Sequence, residues 1–216
     1  MRNDVRIPVG ERVYDELLER IISGRIRPGE KLSVDGLART LGVSQTPIRR
    51  ALAILEAEGL VTNSYLSGFT ASARLTRSEF ADLFELRQLI EPAAAGLTAK
   101  RATPDQVDEI VRLGREMAGR ASRGELVDYS AFARLDSQFH GAIVEATGNG
   151  MLRRSFEMMH AHVHMFRLLF DRAITSEAVA EHDAVIDAIT RHDAPQAALA
   201  MRHHLRASQL RLSAAF

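Results

Sequence analysis

Long stretches of helical periodicity, separated by short breaks, fill the sequence from residue 77 to residue 213. Apolar residues recur there at intervals of three and four, which places them on one face of a helix. Because short breaks between long helices make neighbours antiparallel, this part of the chain is predicted to form an all-helical bundle. Pro92 is expected to kink its first helix. The predicted helices cover residues 77–100, 104–122, 126–147, 151–171, 176–191 and 195–213.

The first seventy residues follow a different pattern, with three short helices and then two short apolar strands around a polar loop. This is the order of a winged helix-turn-helix. The sequence therefore predicts a mainly α protein, with a winged helix-turn-helix in residues 1–72, a hinge at 73–76 and the helical bundle in 77–216. The predicted front elements are helices at 11–23, 34–41 and 44–58 and strands at 60–62 and 69–71.

Composition limits the functions open to this chain. Its 28 Lys and Arg balance its 28 Asp and Glu, so contact with nucleic acid would need a local basic patch. The chain has no cysteine, which excludes disulfides, thiolate metal sites and a cysteine nucleophile, and which fits a reducing compartment. No apolar run is long enough to span a membrane. We therefore expect a cytoplasmic protein without membrane contact.

The third predicted helix begins with donor-rich side chains. Ser44 can cap this helix, and Pro47 fits its first turn. In a helix-turn-helix, the N-terminal residues of the second helix of the pair contact base edges in the major groove. A solvated helix face is the plainer alternative, but the glycine turn, the basic helix and the strand pair occur together. The candidate DNA-binding residues are Ser44, Gln45, Thr46, Arg49 and Arg50, with Gly68 in the loop between the strands.

Four residues of the bundle form a candidate metal site. Asp136 and His140 are four residues apart, so both side chains lie on one face of a predicted helix. His182 lies eleven residues before Asp193, and His204 lies eleven after it. Residues equidistant from the turn of an antiparallel helical hairpin lie level, so these two histidines can face each other. Three imidazoles and a carboxylate suit zinc or nickel, and manganese is possible.

The other histidines are weaker candidates. His160 is as far from Gly150 as His140 is, so it could also reach the site, as a ligand or behind one. His160 and His164 are predicted to share a face of one helix, with His162 pointing away. His192 fits a role at a helix C-terminus, and His203 is expected to face away from His204.

Motifs in the front domain resemble a known family. The segment LGVSQTPIRRAL at residues 41–52, and the segment IRPGEKL at residues 26–32, are similar to the DNA-binding domain of the GntR family of bacterial transcription regulators. The sequence departs from that family where Gln45 replaces a common arginine and where Arg50 replaces a common glutamate. An acid is also usual at Val34. The resemblance implies DNA binding, and the departures imply an altered operator sequence.

The bundle resembles the FadR-like C-terminal domain, called FCD. The resemblance is carried by Glu85-Leu86-Arg87, by the pairs Phe139-His140 and Glu181-His182, and by His204-Leu205. The ligand positions of that family map onto Asp136, His140, His182 and His204. Arg87 matches a position that is often directed into an effector pocket, although a salt bridge to Glu85, Glu91 or another helix is an equal alternative. Arg191-His192 stands where a glycine is usual.

Together these features predict a ligand-responsive transcription regulator, a repressor by family resemblance. The homodimer would bind a palindromic double-stranded DNA operator, and a small organic anion, a carboxylate metabolite, would complete the metal shell and pair with Arg87. No H-E-x-x-H helix, Walker loop or G-x-S-x-G elbow indicates an enzyme. A metal-dependent hydrolase and a metal-free, constitutive DNA-binding dimer remain the alternatives.

Overall fold

The computed structural model describes residues 8–66, 68–122, 129–161, 164–165, 176–214 and 216. The chain divides into two compact units, Met1–Arg74 and Leu75–Phe216. Within the described residues, no helix combines the length and the apolar composition that crossing a bilayer requires. The prediction of a mainly α fold, with a small sheet in the front unit, is confirmed.

The first unit is built on helices α1 and α3, which pack through fully buried aliphatic side chains such as Leu17, Ile48 and Leu52. Its strands form an antiparallel sheet in the order β1-β3-β2. The first strand was not predicted, because its two residues are too few to show an alternating pattern. The elements are α1 Val9–Ile22, β1 Lys31–Leu32, α2 Val34–Leu41, α3 Gln45–Ala57, β2 Val61–Ser64 and β3 Gly68–Ala71.

The second unit is a helical bundle in which the first helix packs against the last. The core is made of aliphatic side chains and alanines, among them Leu113, Ala188 and Met201, with Phe139 as its aromatic member. Gly96 allows a close approach, since a Cβ atom there would lie 3.2 Å from the carbonyl oxygen of Ala194. The helices are α4 Arg77–Arg101, α5 Pro104–Ser122, α6 Tyr129–Glu145, α7 Gly150–Met158, α8 Ser176–Thr190 and α9 Ala194–Ser213.

One predicted helix is wrong in its extent. Residues 151–171 were expected to form a single helix, but α7 ends at Met158 and the backbone of His160 has a φ of 42°. A residue in the left-handed region interrupts a right-handed helix, and no glycine or proline marks this break in the sequence. His160 and His164 therefore do not share one continuous helix. Residues 166–171 and residues 126–128 lie outside the described part of the chain.

Candidate metal centre and nucleic-acid interface

The turn between α2 and α3 is fixed by local backbone chemistry. Ser33 begins α2 by accepting a hydrogen bond from the Gly36 amide at 3.1 Å. Gly42 ends α2 with a φ of 63°, a left-handed conformation that costs glycine little. The chain then enters α3 after two residues. The sequence thus produces a helix pair joined by a tight turn, with the start of the second helix on the surface.

All the candidate DNA-binding residues are exposed, but two of them differ from expectation in detail. Ser44 occupies the N-cap position of α3, yet its side chain makes no capping hydrogen bond. Pro47 at the third helical position has no amide hydrogen, which removes one of the two donors that such a cap can engage. Gln45 donates a hydrogen bond to Asp35 across the turn. Asp35 belongs to α2, outside the run of candidate residues at the start of α3, so this partner was missed.

A groove lies between the start of α2, helix α3 and the β2–β3 loop. Arg49 and Gly68 both line it, with Lys31 adding a second cation and Tyr65 adding an aromatic ring. None of the described residues that line the groove is acidic. Tyr65 and its neighbour Leu66 are almost fully exposed, which is unusual for large apolar side chains and was not anticipated from the sequence. The groove brings Arg49 of α3 to one surface with Gly68, which was predicted in the loop and is the first residue of β3.

Four buried side chains meet inside the bundle. Asp136 and His140 come from α6, His182 from α8 and His204 from α9. One potential ligand atom from each lies within 4.8 Å of every other. The spacing of four on α6 accounts for the first pair, and the α8–α9 hairpin accounts for the second. The structure therefore brings together all four residues that were expected to hold a metal.

The distances within this cluster are short. His182 Nε2 lies 3.2 Å from Asp136 Oδ1, and His140 Nε2 lies 3.9 Å from the same oxygen. The ring centroids of His182 and His204 are 4.4 Å apart. The side chain of Phe139 packs against the His182 ring with a centroid distance of 4.8 Å. The four side chains thus bring their donor atoms together at one buried place.

The donor set fits a divalent metal ion. Neither ring nitrogen of His182 makes a well-formed hydrogen bond within the described residues, although both are buried. Leaving buried polar atoms unsatisfied is costly, and coordination would satisfy one of them. Burial, helped by the nearby His182, lowers the pKa of His204 to about 3, so its imidazole is neutral at physiological pH. A neutral imidazole is the form that binds metals.

Arg87 lies beside the cluster but faces Glu91. Both residues are about 1% exposed, and Arg87 Nε contacts Glu91 Oε1 at 2.5 Å. Glu91 Oε2 lies 2.6 Å from His140 Nδ1. Burial would raise the pKa of Glu91, but the Arg87 guanidinium and His140 outweigh it and hold that pKa well below its usual range. An ionised carboxylate only accepts, so His140 Nδ1 carries the proton.

A second arginine–glutamate pair lies behind His204. Glu181 Oε2 is 3.0 Å from His204 Nδ1. Arg211 donates to both oxygens of Glu181, at 2.6 and 2.7 Å. Burial raises the pKa of Glu181, but the hydrogen bonds from Arg211 and His204 prevail and lower it to about 2. Glu181 was not identified from the sequence, and Glu91 was considered there only as a partner for Arg87.

The other histidines that the structure describes are not members of this four-residue group. His160 and His164 are half-buried, and His203 is exposed on α9. His192 places Nδ1 3.0 Å from the carbonyl oxygen of Ala99 and has a φ of 57°. It thus adopts, at the end of α8, the left-handed conformation for which glycine is favoured. His162 lies outside the described residues.

Comparison with known proteins gives two family matches. Residues 9–70 match the model of bacterial regulatory proteins of the gntR family, and residues 82–207 match the FCD domain. The chain is 32% identical over 197 residues to an HTH-type transcriptional regulator in an unstable DNA locus of Streptomyces ambofaciens. That alignment covers 90% of this chain and 81% of the relative.

One further relative is also a transcriptional regulator, and one solved structure shares the fold. A gluconate operon transcriptional repressor of Bacillus licheniformis is 28% identical over 183 residues, covering 84% of this chain and 73% of that protein. The solved structure of E. coli McbR/YncC superposes with a TM-score of 0.74 at 19% identity, covering 95% of this chain and 97% of the other. The second likeness concerns the fold alone.

Proposed function

Because the chain belongs to the GntR family of bacterial regulatory proteins and carries an FCD domain, we propose that it is an effector-responsive, metal-containing repressor. It would act in the cytoplasm as a homodimer on a palindromic operator, with each front unit reading one half-site. The observation that carries the sensing part of this proposal is the convergence of four buried donors in the bundle. The DNA-binding part is supported by the exposed start of α3.

The front unit offers the contacts that operator binding needs. The exposed side chains of Arg49 and Arg50 suit guanine edges or phosphates, while Ser44 and Thr46 suit the DNA backbone. Lys31 and Arg49 give their groove a positive character that favours a phosphodiester strand. Gln45 would have to leave Asp35 in order to pair with adenine. We therefore assign base recognition first to Arg49 and Arg50, and contact by the wing to Gly68.

The bundle offers a site for a divalent cation. Asp136, His140, His182 and His204 would hold it, and their nitrogen-rich set favours zinc or nickel over manganese. When bound, the ion supplies coordination positions that water or an anionic ligand can fill. Two functions would thus be joined in one chain, namely reading of DNA in the front unit and sensing of a small anion in the rear unit.

The organic effector in this proposal is a carboxylate metabolite, and Arg87 is the residue that recognises its negative charge. The Nη1 atom of Arg87 lies 2.8 Å from Met165 Sδ, a weak acceptor that an anionic oxygen could replace. The name of one relative, a gluconate operon repressor, points to a hydroxycarboxylate as the class to test first. Effector binding would shift DNA affinity only if it favours one arrangement of the dimer over another.

The experiment that tests this proposal measures metal content and operator binding together. Purified protein is expected to contain about one zinc or nickel ion per chain, and to bind DNA flanking its own gene in a fluorescence anisotropy assay. A panel of small hydroxycarboxylates, gluconate and lactate included, is then expected to contain a compound that weakens this binding. Protein that binds operator without metal, and that responds to no anion, would instead be the constitutive DNA-binding dimer. Turnover of esters, amides or phosphoesters would favour the hydrolase.

A further inference from the structure

Two series of side-chain contacts lead to the histidine cluster. We call them the first and the second chain, and each runs from an arginine through a glutamate to an imidazole. Their glutamates, Glu91 and Glu181, are in contact with the Nδ1 atoms of His140 and His204. We propose that Glu91 and Glu181 are positioning residues, which fix these two rings so that Nε2 faces the metal ion. The inference rests on the metal site of the proposed function and assigns residues outside the ligand set.

The first chain is entirely buried. Arg87 and Glu91 are one helical turn apart on α4, with contacts at 2.5 and 3.2 Å that engage both oxygens of the carboxylate. The oxygen that contacts Arg87 Nη2 is also the one that lies 2.6 Å from His140 Nδ1. The Glu91 carboxylate is thus held by the guanidinium on one side and by the imidazole on the other. The opposite nitrogen of His140 is consequently directed at Asp136.

The second chain joins α8 to the end of α9. Arg211 contacts Glu181 through two parallel hydrogen bonds, the geometry in which an arginine orients a carboxylate most firmly. Glu181 is almost buried, whereas about a third of the Arg211 side chain is exposed. Because Glu181 engages Nδ1 of His204, Nε2 is the nitrogen left for the cluster. Carboxylates that fix the outer nitrogen of a metal-bound histidine commonly raise metal affinity about 10- to 100-fold.

His182 differs from the other two histidines. No carboxylate or carbonyl in the described part of the chain holds its Nδ1 atom. Its ring is positioned by packing, against Phe139 and against the neighbouring imidazoles. The proposal therefore predicts two histidines with a fixed outer hydrogen bond and one without.

The test measures Zn²⁺ affinity of the full chain by competition with a chromophoric chelator. We expect Glu91→Gln and Glu181→Gln to lower that affinity about 10-fold, and Glu91→Leu and Glu181→Leu to lower it toward 100-fold. The graded loss arises because glutamine still offers an oxygen, whereas leucine offers none. Arg211→Ala, at a partly exposed site, is expected to give a smaller loss. The matched control is Glu109→Gln, which breaks an exposed pair with Arg112 on α5.

A second readout separates positioning from general stability. In the ¹⁵N spectrum of the Zn²⁺-loaded wild type, the His140 and His204 side chains are expected to carry their proton on Nδ1. Glu181→Leu is expected to change the His204 signals and to leave those of His140 in place. Should Glu91→Leu fail to fold, Glu181→Gln and Arg211→Ala still decide the matter. Tight Zn²⁺ binding by wild type, with unchanged affinity and spectra in the Glu181 variants, would overturn the positioning role alone. A wild type that does not bind Zn²⁺ would remove the metal site itself, and this inference with it.

Discussion

The imidazole rings of His182 and His204 face each other across the last helical hairpin, with their centroids 4.4 Å apart. Two buried imidazoles at this distance cannot both be charged without a large cost. Burial, reinforced by His182, accordingly lowers the pKa of His204 to about 3. His204 therefore presents a neutral nitrogen donor at the pH at which a bacterial regulator works.

Replacement of Arg49 is expected to disable operator binding. Arg49→Ala removes an exposed cation that can pair with a guanine or a phosphate, so affinity for operator DNA should fall about 10- to 100-fold. Fluorescence anisotropy with labelled operator measures this loss, and circular dichroism checks that the fold is kept. The control is Arg12→Ala, an exposed arginine on α1. Unchanged operator affinity in Arg49→Ala would refute the assignment of α3 to the groove.

Removal of two ligands is expected to strip the metal. His182→Ala combined with His204→Ala leaves one imidazole and one carboxylate, so the loss of Zn²⁺ affinity should exceed the ~100-fold that an outer carboxylate contributes. Elemental analysis of the purified variant, and its response to the effector panel, are the measurements. His203→Ala, at the exposed position next to His204, should retain its metal. Full metal content in the double variant would show that the ligands lie elsewhere.

A large side chain at Gly96 is expected to separate α4 from α9. The Cβ atom of Gly96→Leu would lie only 3.2 Å from the backbone oxygen of Ala194, so the bundle should lose about 1–3 kcal/mol of stability. Zn²⁺ affinity should fall as well, since α9 carries His204. Chemical denaturation and chelator competition measure the two effects. Gly141→Ala is the control, because open space surrounds that helical position and alanine should add up to about 1 kcal/mol.

The pH dependence of stability in the front unit should depend on Glu58. Burial raises the pKa of Glu58 above its ordinary value of 4.5, although the hydrogen bond from Tyr14 opposes that shift. The folded state therefore holds the proton more tightly than the unfolded state, and stability falls as pH rises from about 4.5 through the raised pKa.

Glu58→Gln has no charge to desolvate and can still accept from Tyr14. Its melting temperature should exceed that of wild type at pH 7, and the difference should shrink as the pH approaches 4.5. A scan of thermal unfolding between pH 4.5 and pH 8 checks this. A difference between the two proteins that stays constant across the range would contradict the expected linkage.

The sequence predicted the parts of the site that follow from periodicity. Asp136 and His140 share a helix face because they are four residues apart, and His182 and His204 lie level because they are equidistant from a turn. The first relationship depends on one helix alone, and the second depends only on the position of one turn between two helices. The helix boundaries in the bundle followed from the same periodicity, apart from α7. The role of these residues as metal ligands stays a prediction.

Other features leave no such trace in the sequence. Glu181 is next to His182 in the sequence, but its carboxylate contacts His204. Only the packing of α8 on α9 shows which of the two histidines it contacts. The break after α7 depends on a left-handed histidine, His160, rather than on a glycine or proline. The contact of Gln45 with Asp35 crosses a turn between two helices, where spacing alone does not determine which side chains meet.

Pro92 is a place where α4 can bend, although the helix is continuous there. The proline has no amide hydrogen to donate to the carbonyl of Gln88, so α4 lacks one backbone hydrogen bond immediately after Glu91. The part of α4 before Pro92 contains Arg87 and extends about 20 Å back to Arg77. Arg77 is close in sequence to the end of the front unit. Because Arg77 is that far from Pro92, a small change in the bend of α4 at Pro92 would move Arg77 by about an ångström or more. The missing backbone hydrogen bond of α4 thus lies next to the carboxylate that contacts His140.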